Sequence, residues 1–249
     1  MVDKIPSDFG FRQSVSNLEK DFAIKRRELI ENCQPNLIGD TPFLFMDRRI
    51  LHSALSKIKL FEMISDVPGV IIECGVHRGN SLLLWYHLSS ILEPYAFTRQ
   101  IIGFDTFSGF PNTSDKDSED VKIGQLRDTS LQLIKDMIEI NDMNRPLQHI
   151  QKIELVEGDS TLTIPEFVAK NQHLVCSLLY LDFDLYEPTK IALEFLVPLV
   201  PIGGIIAFDE LAQKKWQGES AAFKEIIGIE KVKLRKFSHD PHLIYYVKE

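Results

Sequence analysis

The chain has 249 residues, of which 44% are hydrophobic and 26% are charged, and its formal net charge is −8. These proportions are those of a folded globular protein, and they exclude collagen-like, low-complexity and disulfide-dense chains. Proteins that bind nucleic acid usually carry a basic face, so the acidic balance argues against such a partner. The cysteines Cys33, Cys74 and Cys176 are widely spaced and form no CxxC pair, which favours a reducing compartment.

Membrane and export signals are not predicted. The first residues, MVDKIPSDFGFRQS, lack the apolar core of a signal peptide. The longest apolar runs, residues 178–181 and 202–208, are far too short to cross a bilayer. We therefore expect a cytoplasmic protein with no membrane partner.

The first part of the chain is predicted to be helical. Residues 1–40 are polar, and the charged stretch 19–31 indicates a helix with a solvated face. Between residues 47 and 64 apolar side chains recur at the spacing of one helix face. We expect residues 1–64 to form an N-terminal helical extension and residues 65–249 to form the main domain.

From residue 70 onward, short apolar runs alternate with helical patterns. The runs predict parallel strands at 70–72, 101–104, 153–156, 178–181 and 204–208. The helices predicted after them are 81–92, 130–140, 164–171, 189–197 and 220–227. Residues 232–237 and 243–247 are predicted to form a terminal antiparallel pair, and the polar, turn-rich residues 109–128 a mobile lid. The order predicts an α/β domain, doubly wound around a mostly parallel sheet.

Acidic residues follow all five predicted strands. In an open parallel sheet, ligands bind at the carboxyl ends of the strands. The polar, glycine and aromatic residues found there are Glu73, Gly75, His77, Gly79, Ser81, Asp105, Phe107, Gly158, Asp159, Ser160, Asp182, Asp184, Asp209 and Glu210. A single acid at such a position is as readily a helix N-cap. Five together predict a ligand-binding edge.

The turn after the first strand resembles a nucleotide loop. Gly75 lets the backbone approach a ligand, and the helix that follows offers free N–H groups to an anion. Asp105 is placed to hold both hydroxyls of a ribose. The GxGxxG pattern is incomplete, which lowers the case for an NAD-type oxidoreductase, and the acids suit a ligand that carries a positive charge.

A second group of carboxylates follows the fourth and fifth strands. Asp182 and Asp184 are two residues apart and project to the same side of an extended chain. If these strands are neighbours, Asp209 and Glu210 lie beside them. Carboxylates that converge raise one another's pKa or bind a cation, and oxygen ligands suit Mg²⁺, Mn²⁺ or Ca²⁺. An acidic cleft without a cation is the alternative. Trp216 either forms a wall of a substrate pocket or only packs against other side chains.

Four segments in order resemble the motifs of the macrocin O-methyltransferase family. They are VPGVIIECGVHRG at 67–79, FDTFSGFP at 104–111, LDFDLYEPT at 181–189 and GGIIAFDE at 203–210. Residues 208–211, with Trp216 and the Gly218-Glu219 pair, look most similar to the branch that methylates deoxysugars such as rhamnose. The sequence departs from the family pattern at His77, Asn80 and Phe183, and Phe183 would narrow the pocket.

The resemblance implies a seven-stranded class I methyltransferase-like sheet with a C-terminal antiparallel hairpin. It implies transfer of a methyl group from S-adenosylmethionine to a hydroxyl oxygen of a sugar or glycoside, in a homo-oligomer. It places Mg²⁺ (or Mn²⁺ or Ca²⁺) on Asp182, Asp209 and Glu210, and it makes Asp184 the base. The cofactor contacts that it implies are Glu73, Gly75, Ser81, Asp105, Phe107, Asp159 and Ser160. A catechol-like acceptor is the alternative within the same chemistry.

Overall fold

The computed structural model describes residues 17–249, and it describes side chains from residue 21 onward. The start of the chain, on which the prediction about a signal peptide rests, lies outside the described residues. The chain divides into two compact units, Met1–Leu51 and His52–Glu249. The predicted boundary between residues 64 and 65 stays a prediction.

The described part of the first unit is helical. It contains α1 (Asn17–Glu31), α2 (Pro35–Asp40), α3 (Pro42–Phe45) and the first residues of α4 (Arg48–Met63). A proline occupies the first turn of both α2 and α3. Proline is tolerated there because its missing N–H has no helical partner in any case.

The second unit is built on one sheet. Its strands are β1 (Val70–Cys74), β2 (Ile101–Asp105), β3 (Ile153–Glu157), β4 (Cys176–Leu181), β5 (Ile205–Phe208), β6 (Arg235–Lys236) and β7 (Ile244–Val247). Their order is β3-β2-β1-β4-β5-β7-β6. The first five strands are parallel, and β7 runs antiparallel to both β5 and β6. The predicted fold class is therefore confirmed.

The helices of the second unit follow the strands. They are α5 (Asn80–Leu92), α6 (Leu131–Asp142), α7 (Ser160–Lys170), α8 (Tyr186–Leu196) and α9 (Gln217–Ile226), with a 3₁₀ turn at Val197–Leu199. The last three α-helices begin three or four residues earlier than predicted, because their first turns are polar or contain proline. None of the described helices is long and apolar enough to cross a membrane.

Each face of the sheet is covered by a separate apolar layer. On one face, alternate residues of β1 such as Ile72 pack with Ile164 of α7, Leu193 of α8 and Phe223 of α9. On the other face, Ile71 joins a layer that contains residues of α4, α5 and α6, namely Leu60, Phe61, Leu82, Trp85 and Ile134. Because both faces are buried, the inner strands carry continuous apolar runs such as residues 70–72 of β1 and β5, whereas the edge strand β3 is only partly buried.

Candidate active site

A cavity of about 370 Å³ lies beyond the carboxyl ends of the central strands. Residues from the turns after β1, β2, β3 and β4 line it, among them Gly75, His77, Asp105, Thr106, Asp159, Ser160, Thr161, Asp182, Phe183 and Asp184. The strand order reverses between β1 and β4. Ligands of doubly wound sheets bind at such a switch point.

Asp105 organises two of the turns that line the cavity. Its Oδ2 accepts hydrogen bonds from the backbone N–H groups of Val76, at 2.8 Å, and His77, at 2.7 Å. Its Oδ1 accepts from the N–H of Phe107 at 2.6 Å. A carboxylate has about four acceptor positions. After these three bonds, capacity remains for a ligand hydroxyl.

Gly75 brings the turn after β1 against the turn after β4. Its φ is 98°, and a Cβ atom built on it would lie 2.0 Å from the carbonyl oxygen of Asp182. The N–H of Asp182 donates to the carbonyl of Cys74 at 2.7 Å. Only glycine fits this position, and the close approach sets the glycine turn directly beside the first acid of LDFD.

The turn after β3 also reaches the cavity. Asp159 is the N-cap of α7, and its Oδ1 accepts from the N–H of Thr161 at 2.9 Å. Asp159 therefore has the helix-capping role that is the alternative for a single acid after a strand. Asp159 and the buried Ser160 nevertheless line the cavity.

Three of the residues expected to contact the cofactor do not line this cavity. Glu73 is 1% exposed, faces the layer of α4 and α5, and accepts from Trp85 Nε1 at 2.7 Å. Burial raises the pKa of Glu73 to about 8. Ser81 lies half-buried in the first turn of α5, and Phe107 packs against the same apolar layer as Trp85.

Asp182 and Asp184 both face the cavity. Burial and then the charge of Asp209 raise the pKa of Asp184 to about 8, and the same two causes raise the pKa of Asp182 well above its ordinary value. Asp184 has a φ of 64°, a left-handed conformation in which aspartate is enriched among non-glycine residues. Both acids therefore line one cavity, but the left-handed turn at Asp184 is not the extended chain on which the prediction from their spacing rests.

Asp209 and Glu210 follow β5, which pairs with β4, but they do not line the cavity. The Tyr180 hydroxyl donates to Asp209 Oδ1. Burial, followed by repulsion from Asp209 and Asp184, raises the pKa of Glu210 to about 9. The Glu210 Oε2 atom is buried and has no hydrogen-bond partner.

Asp182, Asp184, Asp209 and Glu210 offer the type of ligand atom that a divalent cation prefers, but their spatial arrangement is less favourable. Carboxylate oxygens are the ligands that Mg²⁺ prefers, and a cation would relieve their mutual repulsion and engage the unpaired Glu210 oxygen. Among residues 17–249, however, no group of three or more His, Cys, Asp or Glu side chains is arranged to hold a metal ion.

Residues 109–128 form one wall of the cavity. The ends of the segment meet, because the Phe110 N–H donates to the Gln125 carbonyl at 3.0 Å and the Gly124 N–H to the Phe110 carbonyl at 2.9 Å. Asp117 is buried, and its Oδ1 accepts from the N–H of Tyr186, the first residue of α8, at 2.8 Å. The predicted mobility of the segment stays a prediction.

Trp216 packs beneath this segment. It is 6% exposed, makes an edge-to-face contact with Phe110 and lies in a small apolar cluster with Val121 and Leu185. Of the two alternatives left open, packing is what the structure shows. Sequence reasoning missed several residues that line the cavity: Thr106, Asn112, Asp117, Glu187 and Ile191. Thr106 and Glu187 lie within the quoted family motifs, Asn112 and Asp117 belong to the polar segment 109–128, and Ile191 belongs to a helical stripe that reads as core.

Comparison with known proteins identifies the family. The model of the macrocin-O-methyltransferase (TylF) family matches residues 46–238. The chain belongs to this family. Its fold is that of S-adenosylmethionine-dependent methyltransferases, and the protein is an O-methyltransferase. The alternative function of an NAD-type oxidoreductase is therefore rejected.

Solved and curated relatives agree with this assignment. The chain is 35% identical to CalS11, a calicheamicin methyltransferase, with 94% of each chain covered and a TM-score of 0.87. It is 32% identical to apo CalS11, described as a TDP-rhamnose 3'-O-methyltransferase, with 94% of this chain and 96% of the other covered and a TM-score of 0.82. Demethyldecarbamoylnovobiocin O-methyltransferase from Streptomyces niveus is 25% identical over 214 residues, which are 82% of this chain and 69% of that protein. Membership of this family indicates a small-molecule substrate.

Proposed function

We propose that this enzyme methylates a hydroxyl oxygen of a deoxysugar that is attached to a nucleotide or to a natural product. The observation that carries the proposal is the cavity that Asp105 shares with Asp182 and Asp184. A donor site and an acid–base site open into the same space. The sugar is favoured as acceptor by the 32% identity, over nearly both full lengths, to a TDP-rhamnose methyltransferase.

The donor side of the cavity is assigned to Gly75, Asp105, Asp159 and Ser160, which line it. S-adenosylmethionine supplies a methyl group that its sulfonium already activates. The protein therefore needs mainly to orient the two substrates, and this orientation lowers the activation free energy by several kcal/mol. Glu73, Ser81 and Phe107 do not line the cavity and are not assigned to the donor side.

The acceptor side is assigned to the acids. Asp184 lies in the cavity lining and takes the proton of the reacting hydroxyl. Asp182, Asp209 and Glu210 are the residues that would hold Mg²⁺, or Mn²⁺ or Ca²⁺ in its place. Such an ion would polarise the hydroxyls of the sugar and favour loss of the proton.

The test is an assay of the purified chain with S-adenosylmethionine and TDP-rhamnose, read by mass spectrometry of the sugar nucleotide. We expect a singly methylated product. A catechol, tested in parallel, should not react. Methylation of the catechol but not of the sugar nucleotide would overturn the acceptor assignment.

The metal is tested separately. Activity should be lost after treatment with EDTA and should return with excess Mg²⁺, while S-adenosylhomocysteine still raises the melting temperature of the chelated enzyme. Full turnover in EDTA would remove the ion from the proposal and leave the methyl transfer intact.

A further inference from the structure

Lys57 is a buried cation in α4 that belongs to no part of the site described so far. It is 4% exposed, although lysine is almost never buried without a partner. Its Nζ donates to Ser53 Oγ at 2.8 Å and lies 4.9 Å from the centre of the Tyr180 ring. Moving an ammonium group out of water is costly unless nearby charges compensate it. Negative charge close to Lys57 would offset this cost.

The nearest anion is Asp209. Lys57 Nζ lies 4.0 Å from Asp209 Oδ1, and the Tyr180 hydroxyl donates to the same oxygen. The Asp209 N–H in turn donates to the Leu181 carbonyl at 3.0 Å, at the end of β4. One oxygen and the backbone of Asp209 are thus both restrained. Both side-chain contacts converge on the Oδ1 atom of Asp209.

Lys57 also acts on the acids around Asp209. Burial dominates the raised pKa of Glu73, and the charge of Lys57 opposes the rise. A single ammonium group therefore acts on two carboxylates, those of Asp209 and Glu73. The next lysine of the helix, Lys59, is exposed and lies over Phe237 instead.

We propose that Lys57 is a positioning residue for methyl transfer, and that its ammonium group and the Tyr180 hydroxyl together hold the Asp209 carboxylate in the orientation that the acceptor site requires. Lys57 does not line the cavity, so it acts through Asp209 rather than on substrate. The inference rests on the proposed function, in which Asp209 belongs to the acceptor site.

The first test compares Lys57→Met, Lys57→Arg and the control Lys59→Met, with TDP-rhamnose as acceptor. We expect Lys57→Met to lower kcat by at least ~10-fold and to leave the KM for S-adenosylmethionine within about twofold. Lys57→Arg keeps a cation and should recover most of the rate. Lys59→Met should match the parent enzyme. A Lys57→Met enzyme with unchanged kcat would overturn the proposal.

A double-mutant cycle separates positioning from a structural role. If Lys57 acts through Asp209, adding Lys57→Met to Asp209→Asn should cause little further loss of rate. Losses that multiply independently would contradict the proposal. If Asp209→Asn alone keeps the full rate, the assignment of Asp209 to the acceptor site fails instead.

Crystal structures of the parent and Lys57→Met enzymes with S-adenosylhomocysteine decide the case without any acceptor. We expect Asp209 to leave Tyr180 or to adopt several rotamers in the variant. An unchanged, ordered Asp209 would overturn the proposal. If the parent enzyme does not methylate TDP-rhamnose, the sugar assignment fails while the crystals still test Lys57.

Discussion

At the scale of single residues, Asp184 carries the most direct prediction. Its carboxylate lines the cavity, and asparagine preserves its size but cannot take a proton. General-base catalysis typically contributes 10²–10⁴-fold, so we expect Asp184→Asn to lower kcat by roughly 100-fold or more. The KM for S-adenosylmethionine should change little. Steady-state kinetics with the accepted sugar check this, and an unchanged kcat would exclude Asp184 as the base.

Gly75 makes a second prediction, about stability and donor binding. A Cβ atom there would lie 2.0 Å from the carbonyl oxygen of Asp182, whereas at Gly124, which also has positive φ, nothing lies within 4 Å. Gly75→Ala should lose about 1–3 kcal/mol more stability than Gly124→Ala, because both strain the backbone but only the first clashes. It should also weaken binding of S-adenosylhomocysteine.

Urea unfolding and calorimetric titration of the two alanine variants measure these effects. Gly124→Ala is the control for the cost of positive φ alone. Equal losses in the two variants would show that the contact between the two turns is not what requires glycine at residue 75.

At the scale of elements, the segment 109–128 is fastened to the helices rather than to the sheet. Asp117 accepts from the N–H of Tyr186 and, through Oδ2, from the N–H of Ser114 at 2.7 Å. Lys116 Nζ donates to the Tyr186 hydroxyl at 2.7 Å. Asp117→Ala would leave the buried N–H of Tyr186 without its acceptor, at a cost of about 1–3 kcal/mol.

We therefore expect Asp117→Ala to speed hydrogen exchange within residues 109–128 and to lower methyl transfer, while exchange in β1 and β4 stays slow. Asp120→Ala, in the same segment but exposed, is the control. Hydrogen–deuterium exchange with mass spectrometry reads each segment separately. Protection of the segment that is equal in all three proteins would contradict the role given to Asp117.

The elements themselves were largely predictable, for reasons visible in particular residues. Buried runs such as those at β1 and β4 are continuous because both faces of the sheet are covered, so the strands were recognised. α8 begins three residues before the predicted start at residue 189, and Pro188 fits within its first turn because proline is allowed there. The short helices α2 and α3 fall within the predicted helical extension, but they are too short to show an apolar periodicity that would give their bounds.

At the scale of the whole molecule, one buried carboxyl makes stability depend on pH. Burial raises the pKa of Glu73 from 4.5 to about 8, with Lys57 opposing the rise. The folded protein therefore holds this proton more tightly than the unfolded chain does. The contribution to stability is complete below pH 4.5 and is lost as the pH rises through 8.

Glu73→Gln stays neutral at every pH and keeps an acceptor for the Trp85 N–H. We expect its advantage over the parent protein to grow from pH 4.5 to pH 8 and to reach on the order of 1 kcal/mol or more. Urea unfolding across this range checks it. Parallel pH profiles for the two proteins would contradict the burial argument.

The sequence identifies the acidic residues of the site, but it does not show which of them lie together in the structure. Asp182 and Asp184 both line the cavity, but the left-handed φ of Asp184 and the presence of Phe183 in the same lining show that the turn after β4, rather than the alternation of an extended strand, brings them together. Asp209 and Glu210 are adjacent in the chain but lie outside the cavity lining, and Asp209 accepts from the Tyr180 hydroxyl and lies 4.0 Å from Lys57 Nζ. Lys57 lies in a helix more than 100 residues before Asp209 in sequence, and no local sequence pattern predicts the contact between them.

The hydrogen-bonded ends of the segment 109–128 have a consequence for how such enzymes diversify. Because Phe110 meets Gly124 and Gln125, the segment closes on itself before the chain rejoins the domain. A loop of this kind can change length or composition without shifting the register of any strand. Specificity for a new acceptor could thus arise by exchange of residues 109–128 alone, without any change in the turns assigned to the donor.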